Sequence, residues 1–553
     1  MPAMDTLLDL VDDAVTRFGD QPSFAMRRDD GSIDGWTYRE LGQRSRVAAY
    51  RLRALGLEPG DRVLTWSPSS PELAATYIGA MRAGVIYVPL DLRMSVGAVE
   101  GVARTAAPKR LLLGGGPDAP DPAAFDLGDM PTTIIEDIAG APDGGAGLPA
   151  DWEAQVDAWA RPVPADLVQL IFTSGTTGTP KGVKLAHDNL LASNRTFHRI
   201  IPPMEHRIVS LLPLSHLFEQ AVGLFYAMSV GASVVYVRSL NPRILFETFN
   251  RHRVTSMIVA PQILDVFWSA IEREAARTGR QATFDRLRRL ARRLPMRLRR
   301  LVFRQVHRRL GGEFRLFISA GAFLPPALQQ AWEDLGVTVL QGYGATETGT
   351  GACTTLWDHG LGTVGRPPEG IEMRLAPDGE VQFRGPTLFK GYWNAPEATA
   401  ASYTEDGWYM TGDVGHLDAQ GRLILSGRKR DMIVLPNGFN VYPEDIENAL
   451  RVAGLRDTVV LETRPGRIEA IVLVPSDSPI RPVGKAIGFD PAAPPPELRA
   501  SFDAAVKAAN ATLGANQRVA GWRLWPELDF PRTHTLKVKR DAVRAWVREN
   551  ASA

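Results

Sequence analysis

The sequence predicts an α/β fold in two parts. A large N-terminal domain of doubly wound α/β subdomains carries a β-rich subdomain, and a small α+β domain follows. Three observations predict this. Helix and strand signals alternate through the first third of the chain and again after residue 182. From about residue 362 to residue 426 the texture shifts to short strands broken by Gly, Pro and Asp turns. A length of 553 residues exceeds one ordinary domain, so at least two are expected. The boundary is placed at Gly427/Arg428, giving domains 1–427 and 428–553.

The elements follow in order. Thr37-Tyr-Arg-Glu40 is a capping box that opens a helix running toward Gly56. Residues 62–66 read as a strand. Ser70 and Pro71 form an N-cap and N1 pair for a helix that ends near Gly84. Residues 85–90 and 167–172 are short apolar strands. Residues 209–212, 233–237 and 256–260 continue the rhythm, and residues 380–384 and 421–426 are strands of the β-rich part. Pro295 separates two helices. Residues 476–496 are Pro-rich and aperiodic, hence an exposed loop. No internal repeat is present.

With 44% apolar and 23% charged residues the composition is that of a soluble globular protein. A net charge of +1 supplies no global attraction to nucleic acid, so none is expected as a partner. The single cysteine, Cys353, rules out an internal disulfide framework, suits a reducing cytoplasm and reads as a core residue. The N-terminus lacks the blocks of a signal peptide, and no apolar run has the length of a membrane span. The expected location is cytoplasmic. One stretch stands out: residues 286–312 hold many arginines and no acid, with leucines at helical spacing. It reads either as a solvated basic face or, between Arg286 and Arg309, as a peripheral contact with the anionic inner membrane surface.

The chemistry begins at Phe172-Thr-Ser-Gly-Thr-Thr-Gly-Thr-Pro-Lys-Gly182. Thr173, Ser174, Gly175, Thr176, Thr177 and Gly178 make hydroxyl-rich glycine turns in which backbone N–H groups can approach an anion closely. Lys181 adds a positive charge. The loop suits a polyphosphate but departs from the P-loop: Pro180 stands where its second Gly belongs, and Gly182 follows the lysine. In Gln341-Gly-Tyr-Gly-Ala-Thr-Glu-Thr348, Tyr343 can stack on a base, Gly342, Gly344 and the Thr346 hydroxyl join it as candidate ATP-binding residues with Thr346 also a candidate catalytic group, and Glu347 can hold Mg²⁺, a hard ion that prefers oxygen. Asp413 can accept both hydroxyls of a ribose, and Arg428 can add a donor. Lys537 and Lys539 lie near the chain's end.

Together and in this order, these segments resemble the adenylate-forming enzymes, over roughly residues 8–547. The resemblance is strongest at residues 173–182, 342–347, 388–399, 411–413, 427–447 and 531–540. Within the superfamily the chain looks most like long-chain fatty acyl-CoA synthetases, through Leu212-Pro-Leu-Ser-His-Leu-Phe-Glu219, Asn437-Gly-Phe-Asn-Val-Tyr-Pro-Glu-Asp-Ile-Glu447 and Thr535-Leu-Lys-Val-Lys-Arg540. The resemblance implies a ligase of fatty acid and lipid metabolism with ATP, a fatty acid and CoA as substrates and Mg²⁺ as cofactor. A carboxylate would attack the α-phosphate, giving acyl-adenylate and pyrophosphate; the CoA thiol would then take the acyl group and release AMP. It further implies Lys537 as the adenylation lysine, although Leu536 replaces the usual Gly before it and Lys539 stays open as the alternative. Gly321 and Ala322 would line the adenine, and His216 would sit near the acyl carbonyl. Arg430 would be the hinge of a mobile C-terminal domain, and Gly438 would approach the pantetheine of CoA. The alternatives are a fatty acyl-AMP ligase that loads a carrier protein, and a catalytically silent nucleotide-binding regulator.

Overall fold

The computed structural model describes residues 4–115, 119–140, 147–173, 180–437, 439–455, 457–475, 486–532 and 538–550. The chain forms two compact units. One comprises Met1–Met373, Phe383–Tyr409 and Ala419–Leu423; the other comprises Arg374–Gln382, Met410–Asp418 and Ile424–Ala553.

The first unit is built on two largely parallel sheets. One runs in the order Ala352–Cys353, Thr338–Tyr343, Leu316–Ser319, Ser256–Val259, Arg207–Ser210, Ser233–Tyr236, Pro22–Arg27 and Ile33–Thr37, antiparallel only at its two edges. The other runs Thr132–Ile134, Arg110–Leu113, Arg62–Trp66, Ile86–Leu90, Leu167–Thr173 and Lys181–Ala186, with only the last pair antiparallel. The central strands are continuous apolar runs, as sheets covered on both faces require. The helices form where the sequence places them. Thr37 and Glu40 cap Tyr38–Ala54 reciprocally, and Ser70 caps Pro71–Ala83, which ends on Gly84 at φ 70°. These two helices cross closely because Gly79 has no side chain; a Cβ there would come within 2.7 Å of the Ala48 methyl.

Two local readings need correction, and one element has no counterpart in the sequence reading. The strand expected at residues 209–212 is Arg207–Ser210, because Leu211 and Leu212 turn away toward Pro213, which has no N–H for a ladder. The strand expected at residues 421–426 is Leu423–Arg428. Residues Glu219–Tyr226 form a π-helix, for which local composition holds no cue.

The arginine-rich stretch is three short helices, Gln281–Ala291, Met296–Val302 and Arg304–Arg309, with Pro295 at the first break and buried Phe303 at the second. It is not a uniformly solvated face. Asp334, fully buried, receives Arg292 at 2.9 Å and Arg288 at 3.4 Å, and Arg288 lies over the Trp268 ring. Arg299 donates to the carbonyls of Leu294 and Glu333, Arg300 to those of Phe314 and Gly312, and Arg309 pairs with Glu274.

In the second unit the antiparallel strands Thr458–Arg464 and Arg467–Val472 pair with the parallel strand Gly521–Leu524. Their alternation splits the core in two. Val460, Ala470 and Val472 face a cluster shared with Pro443–Val452 and Pro496–Asn510, whereas Val459, Leu461 and Ile471 face Val543 and Val547 of Arg540–Glu549. Residues 476–485 of the expected Pro-rich loop lie outside the described residues; residues 486–495 have no helix or ladder strand.

Candidate functional site

Parallel strands deliver their following loops to one edge of a sheet, and ligands bind outside those carboxyl ends. The expected site segments of the first unit sit there. Thr173 ends one strand of the six-stranded sheet. The loops carrying His216, Gly321–Ala322 and Gly344–Glu347 follow the strands Arg207–Ser210, Leu316–Ser319 and Thr338–Tyr343 of the eight-stranded sheet.

Glu347 is the meeting point. Its side chain is buried, and Oε1 accepts from the Tyr392 hydroxyl at 3.2 Å and from the Thr173 hydroxyl at 3.4 Å. Lys181, directly opposite Thr173 in the antiparallel pair, lies with its ammonium 5.2 Å from the centre of the Tyr392 ring. Tyr392 is placed by backbone pairing. Lys184 N–H donates to the Gly391 carbonyl, Trp393 N–H to that of Gly182, and Phe389 N–H to that of Glu347. Burial, with the Glu347 charge beside it, raises the Tyr392 phenol well above its ordinary range, so it stays a donor. Thr346 sits in the same turn, half-buried, and Ala345 N–H donates to Thr348 Oγ1 at 2.7 Å. Gly344 has no room for a side chain: a Cβ would lie 1.9 Å from the Gly349 carbonyl oxygen. Gly342 has space around it, and the Tyr343 ring leans on Phe383 with centroids 5.9 Å apart. Gly321 takes φ 87° with nothing near its Cβ position, and Ala322 follows it half-buried.

His216 ends a tight loop. Its N–H donates to the Pro213 carbonyl, and its Nε2 lies 3.1 Å from Asp91 Oδ2. A buried amide pair ties this loop to the strand that ends at Thr173: Gln169 Nε2 donates to Gln220 Oε1, and Gln220 Nε2 donates to the Leu214 carbonyl, both at 2.7 Å. Beneath them Glu219 is fully buried. It accepts from Ser210 Oγ at 2.6 Å, and burial pushes its carboxyl up to about 8.

In the second unit Asp413 and Arg428 do meet, Nε to Oδ1 at 2.7 Å, and Arg428 also donates to the Thr411 carbonyl. Thr411 Oγ1 bonds the Val381 carbonyl and receives Asp413 N–H, which fixes the strand that bears the carboxylate. Arg430 is exposed in the short turn Lys429–Asp431. Lys539 is exposed, and its N–H donates to the Pro531 carbonyl. Ser174, Gly175, Thr176, Thr177, Gly178, Gly438 and Lys537 lie outside the described residues. Burial pushes the Cys353 thiol up to about 12, as for a core cysteine.

Among the described residues no group of three or more His, Cys, Asp or Glu side chains could hold a metal ion. Mg²⁺ needs only one or two carboxylates beside substrate phosphates. Glu347, its oxygen facing hydroxyls at the end of the phosphate-loop strand, fits that role.

Three residues escaped sequence reasoning. Tyr392 lies in a segment that carried the resemblance, but its Gly-Tyr-Trp-Asn context reads as a turn. Asp91 follows an apolar strand and belongs to no motif, and Glu219 closes the segment 212–219 that carried the resemblance without a role of its own.

Residues 11–393 match the family described as AMP-binding enzyme. The chain belongs to this family of adenylate-forming enzymes. Long-chain-fatty-acid–CoA ligase FadD15 of Mycobacterium bovis is 30% identical over 573 residues, covering 95% of this chain and 93% of that protein. The anthranilate CoA ligase AuaEII, solved with anthranoyl-AMP, has a TM-score of 0.76 at 20% identity, covering 100% of this chain and 99% of that one. The o-succinylbenzoate coenzyme A synthetase MenE of Bacillus subtilis, solved with ATP and a magnesium ion, has a TM-score of 0.70 at 20% identity, covering 96% and 98%. The two solved structures share the fold.

Glu219 generates a pH prediction. Its folded value of about 8 lies above the usual 4.5, so its contribution to stability is full below pH 4.5 and is lost as pH rises through 8. Glu219→Gln keeps the shape and removes the titration. Relative to this variant, the parent should lose up to about 1.4 kcal/mol per pH unit across that window. Denaturant midpoints of both proteins from pH 5 to about pH 8 read the difference; a constant gap would place an ionised carboxylate there.

Proposed function

We propose that this protein is an ATP-dependent, AMP-forming acid–CoA ligase whose acid is a long-chain fatty acid. The observation that carries the chemistry is the convergence of Thr173 and Tyr392 on Glu347, with Lys181 over the Tyr392 ring, at the end of the strand that feeds the phosphate loop. Support for the acid comes from the likeness to FadD15 along nearly the whole chain.

The difficulty of the first half-reaction is electrostatic. A carboxylate must approach a polyanion, and two unit charges about 4 Å apart repel by roughly 4 kcal/mol at an effective dielectric of 20. Lys181 and the hydroxyl and backbone donors of residues 173–178 take the β- and γ-phosphates. Glu347 would hold Mg²⁺, which when bound would supply charge neutralisation on the phosphate oxygens. Thr346 donates at the α-phosphate, and Gly342, Tyr343, Gly344, Gly321 and Ala322 line the base. Asp413 takes the ribose hydroxyls, and Arg428 orients Asp413. Lys537 bridges the acid and the α-phosphate where charge shifts in the transition state. The acid's oxygen forms the bond to phosphorus as pyrophosphate leaves. The CoA thiol, losing its proton, then forms the thioester and releases AMP. For this step the small domain turns about Arg430, and Gly438 admits the pantetheine.

A water-insoluble acid makes a membrane contact useful. Arg286, Arg289, Arg293, Arg297, Arg304 and Arg308 are exposed among Leu290, Leu298, Leu301 and Val302, which are also exposed. Leucines that can enter the headgroup region beside cations suit an anionic bilayer. Among the described residues no helix is long and apolar enough to cross a membrane.

Three measurements test these readings. With ATP, Mg²⁺ and CoA, an acid panel should yield acyl-CoA with kcat/KM rising toward long chains, since each buried CH₂ contributes roughly 0.8 kcal/mol. A maximum at aryl or short acids would overturn the substrate, and transfer only to a holo carrier protein would overturn CoA. Lys537→Ala should slow pyrophosphate exchange by about a hundred- to a thousandfold while sparing thioester formation from supplied acyl-adenylate; the same pattern in Lys539→Ala instead would reassign the lysine. Replacing Arg286, Arg289, Arg293 and Arg297 by Gln should weaken sedimentation with phosphatidylglycerol vesicles, by about 1 kcal/mol per arginine. Unchanged binding, or none by the parent, removes the membrane contact.

A further inference from the structure

Asp91 has no place in the machinery described so far, yet it is 3% exposed at the site's edge. It directly follows the strand Ile86–Leu90, whose neighbour in the sheet is Leu167–Thr173. The two strands are parallel, with Tyr87 opposite Gln169, so Asp91 and Thr173 stand at the same level, each four residues further on. A buried carboxylate must be paired. Asp91 is: Arg93 donates its backbone N–H to Oδ1 at 2.8 Å, its Nε to Oδ1 at 3.1 Å and its Nη2 to Oδ2 at 3.1 Å. His216 Nε2 takes the remaining approach to Oδ2, at 3.1 Å. Burial alone would raise the Asp91 carboxyl; the donors from His216 and Arg93 outweigh it and hold the group well below the usual carboxylate range.

An ionised carboxylate only accepts hydrogen bonds, so His216 must carry a proton on Nε2. The backbone of the His216 loop is held by other means. Leu214 N–H donates to Ser69 Oγ at 2.9 Å, and the Gln220 amide holds the Leu214 carbonyl. Asp91 therefore fixes the imidazole and leaves the loop to its other anchors.

We propose that Asp91 is a positioning residue for acid activation: it fixes the ring orientation and the Nε2 proton of His216 where the acid's carboxylate meets ATP. Placement of His216 beside the acid rests on the proposed acid ligation, but not on chain length. The experiment therefore uses whichever acid of the panel gives the fastest ATP–pyrophosphate exchange. Four proteins are compared: the parent, Asp91→Asn, His216→Ala and the double variant. Asp91→Asn should lower kcat/KM for the acid on the order of a hundredfold, the usual scale for a misplaced active-site group, and leave the KM for ATP unchanged. In the His216→Ala background the same substitution should add nothing, because Asp91 acts only through that ring. Losses that multiply, or a KM for ATP that rises as much as that for the acid, would overturn the proposal. If Asp91→Asn proves unfolded, Asp91→Glu enters the same cycle. It keeps the charge beside Arg93 and displaces the carboxylate by one methylene, so the identical pattern is required of it.

Discussion

The site of the first unit depends on one constraint: polar side chains at the carboxyl ends of two parallel sheets must reach each other. Glu347 comes from the eight-stranded sheet and meets Thr173 of the six-stranded one, and His216 and Asp91 repeat the arrangement in the opposite sense. Each bridge joins a carboxylate to a donor at a strand end, where the sheets no longer supply backbone partners. A carboxylate buried there without its donor would cost several kcal/mol. The bridges therefore fix the geometry of the edge as much as they equip it. Ligand oxygens that displace or join the donors arrive at groups already oriented, so little reorganisation opposes catalysis.

Below the bridges, polar groups are graded by charge. Gln169 and Gln220 form a neutral amide link between the phosphate-loop strand and the His216 loop, with no charge to desolvate. Beside Gln220 in the chain, Glu219 is equally buried; burial pushes its carboxyl up, and it accepts from Ser210. The π-helix that begins at Glu219 belongs to this arrangement. A Cβ at Gly223 would lie 2.1 Å from Glu219 Oε1, so the glycine leaves the space into which the carboxyl folds. Ionised carboxylates thus stand at the strand ends, and the amide pair and the Glu219 carboxyl occupy the buried interior beside them.

The sequence made the local part of this legible. The capping box at Thr37 and Glu40, the Ser70–Pro71 start and the break at Pro295 act within a few residues, and each element formed at or near the expected position. The motifs single out Glu347, Asp413 and Arg428 as candidates, and the structure brings Asp413 and Arg428 into contact. Asp91 and Tyr392 were not found. Their partners lie far along the chain, and the register of parallel strands that unites them leaves no trace in local periodicity. The strand expected at residues 209–212 failed for a related reason: Leu211 and Leu212 look like strand, but Pro213 and the Ser210–Glu219 bond take the chain out of the sheet.

The arginine-rich helices show how composition can mislead even where it points to something real. As a string, residues 286–312 carry one undivided positive charge. In the fold the arginines divide by what they face. Arg288 and Arg292 neutralise Asp334, and Arg299 and Arg300 satisfy carbonyls where short helices end, leaving the remaining cations outward among exposed leucines. The inner arginines make the outer surface possible. Helices of 7 and 6 residues, Met296–Val302 and Arg304–Arg309, are too short to persist by themselves and have few buried side chains to anchor them. Guanidinium groups that reach into the body replace the missing apolar face, and the leucines at these positions are free to point outward.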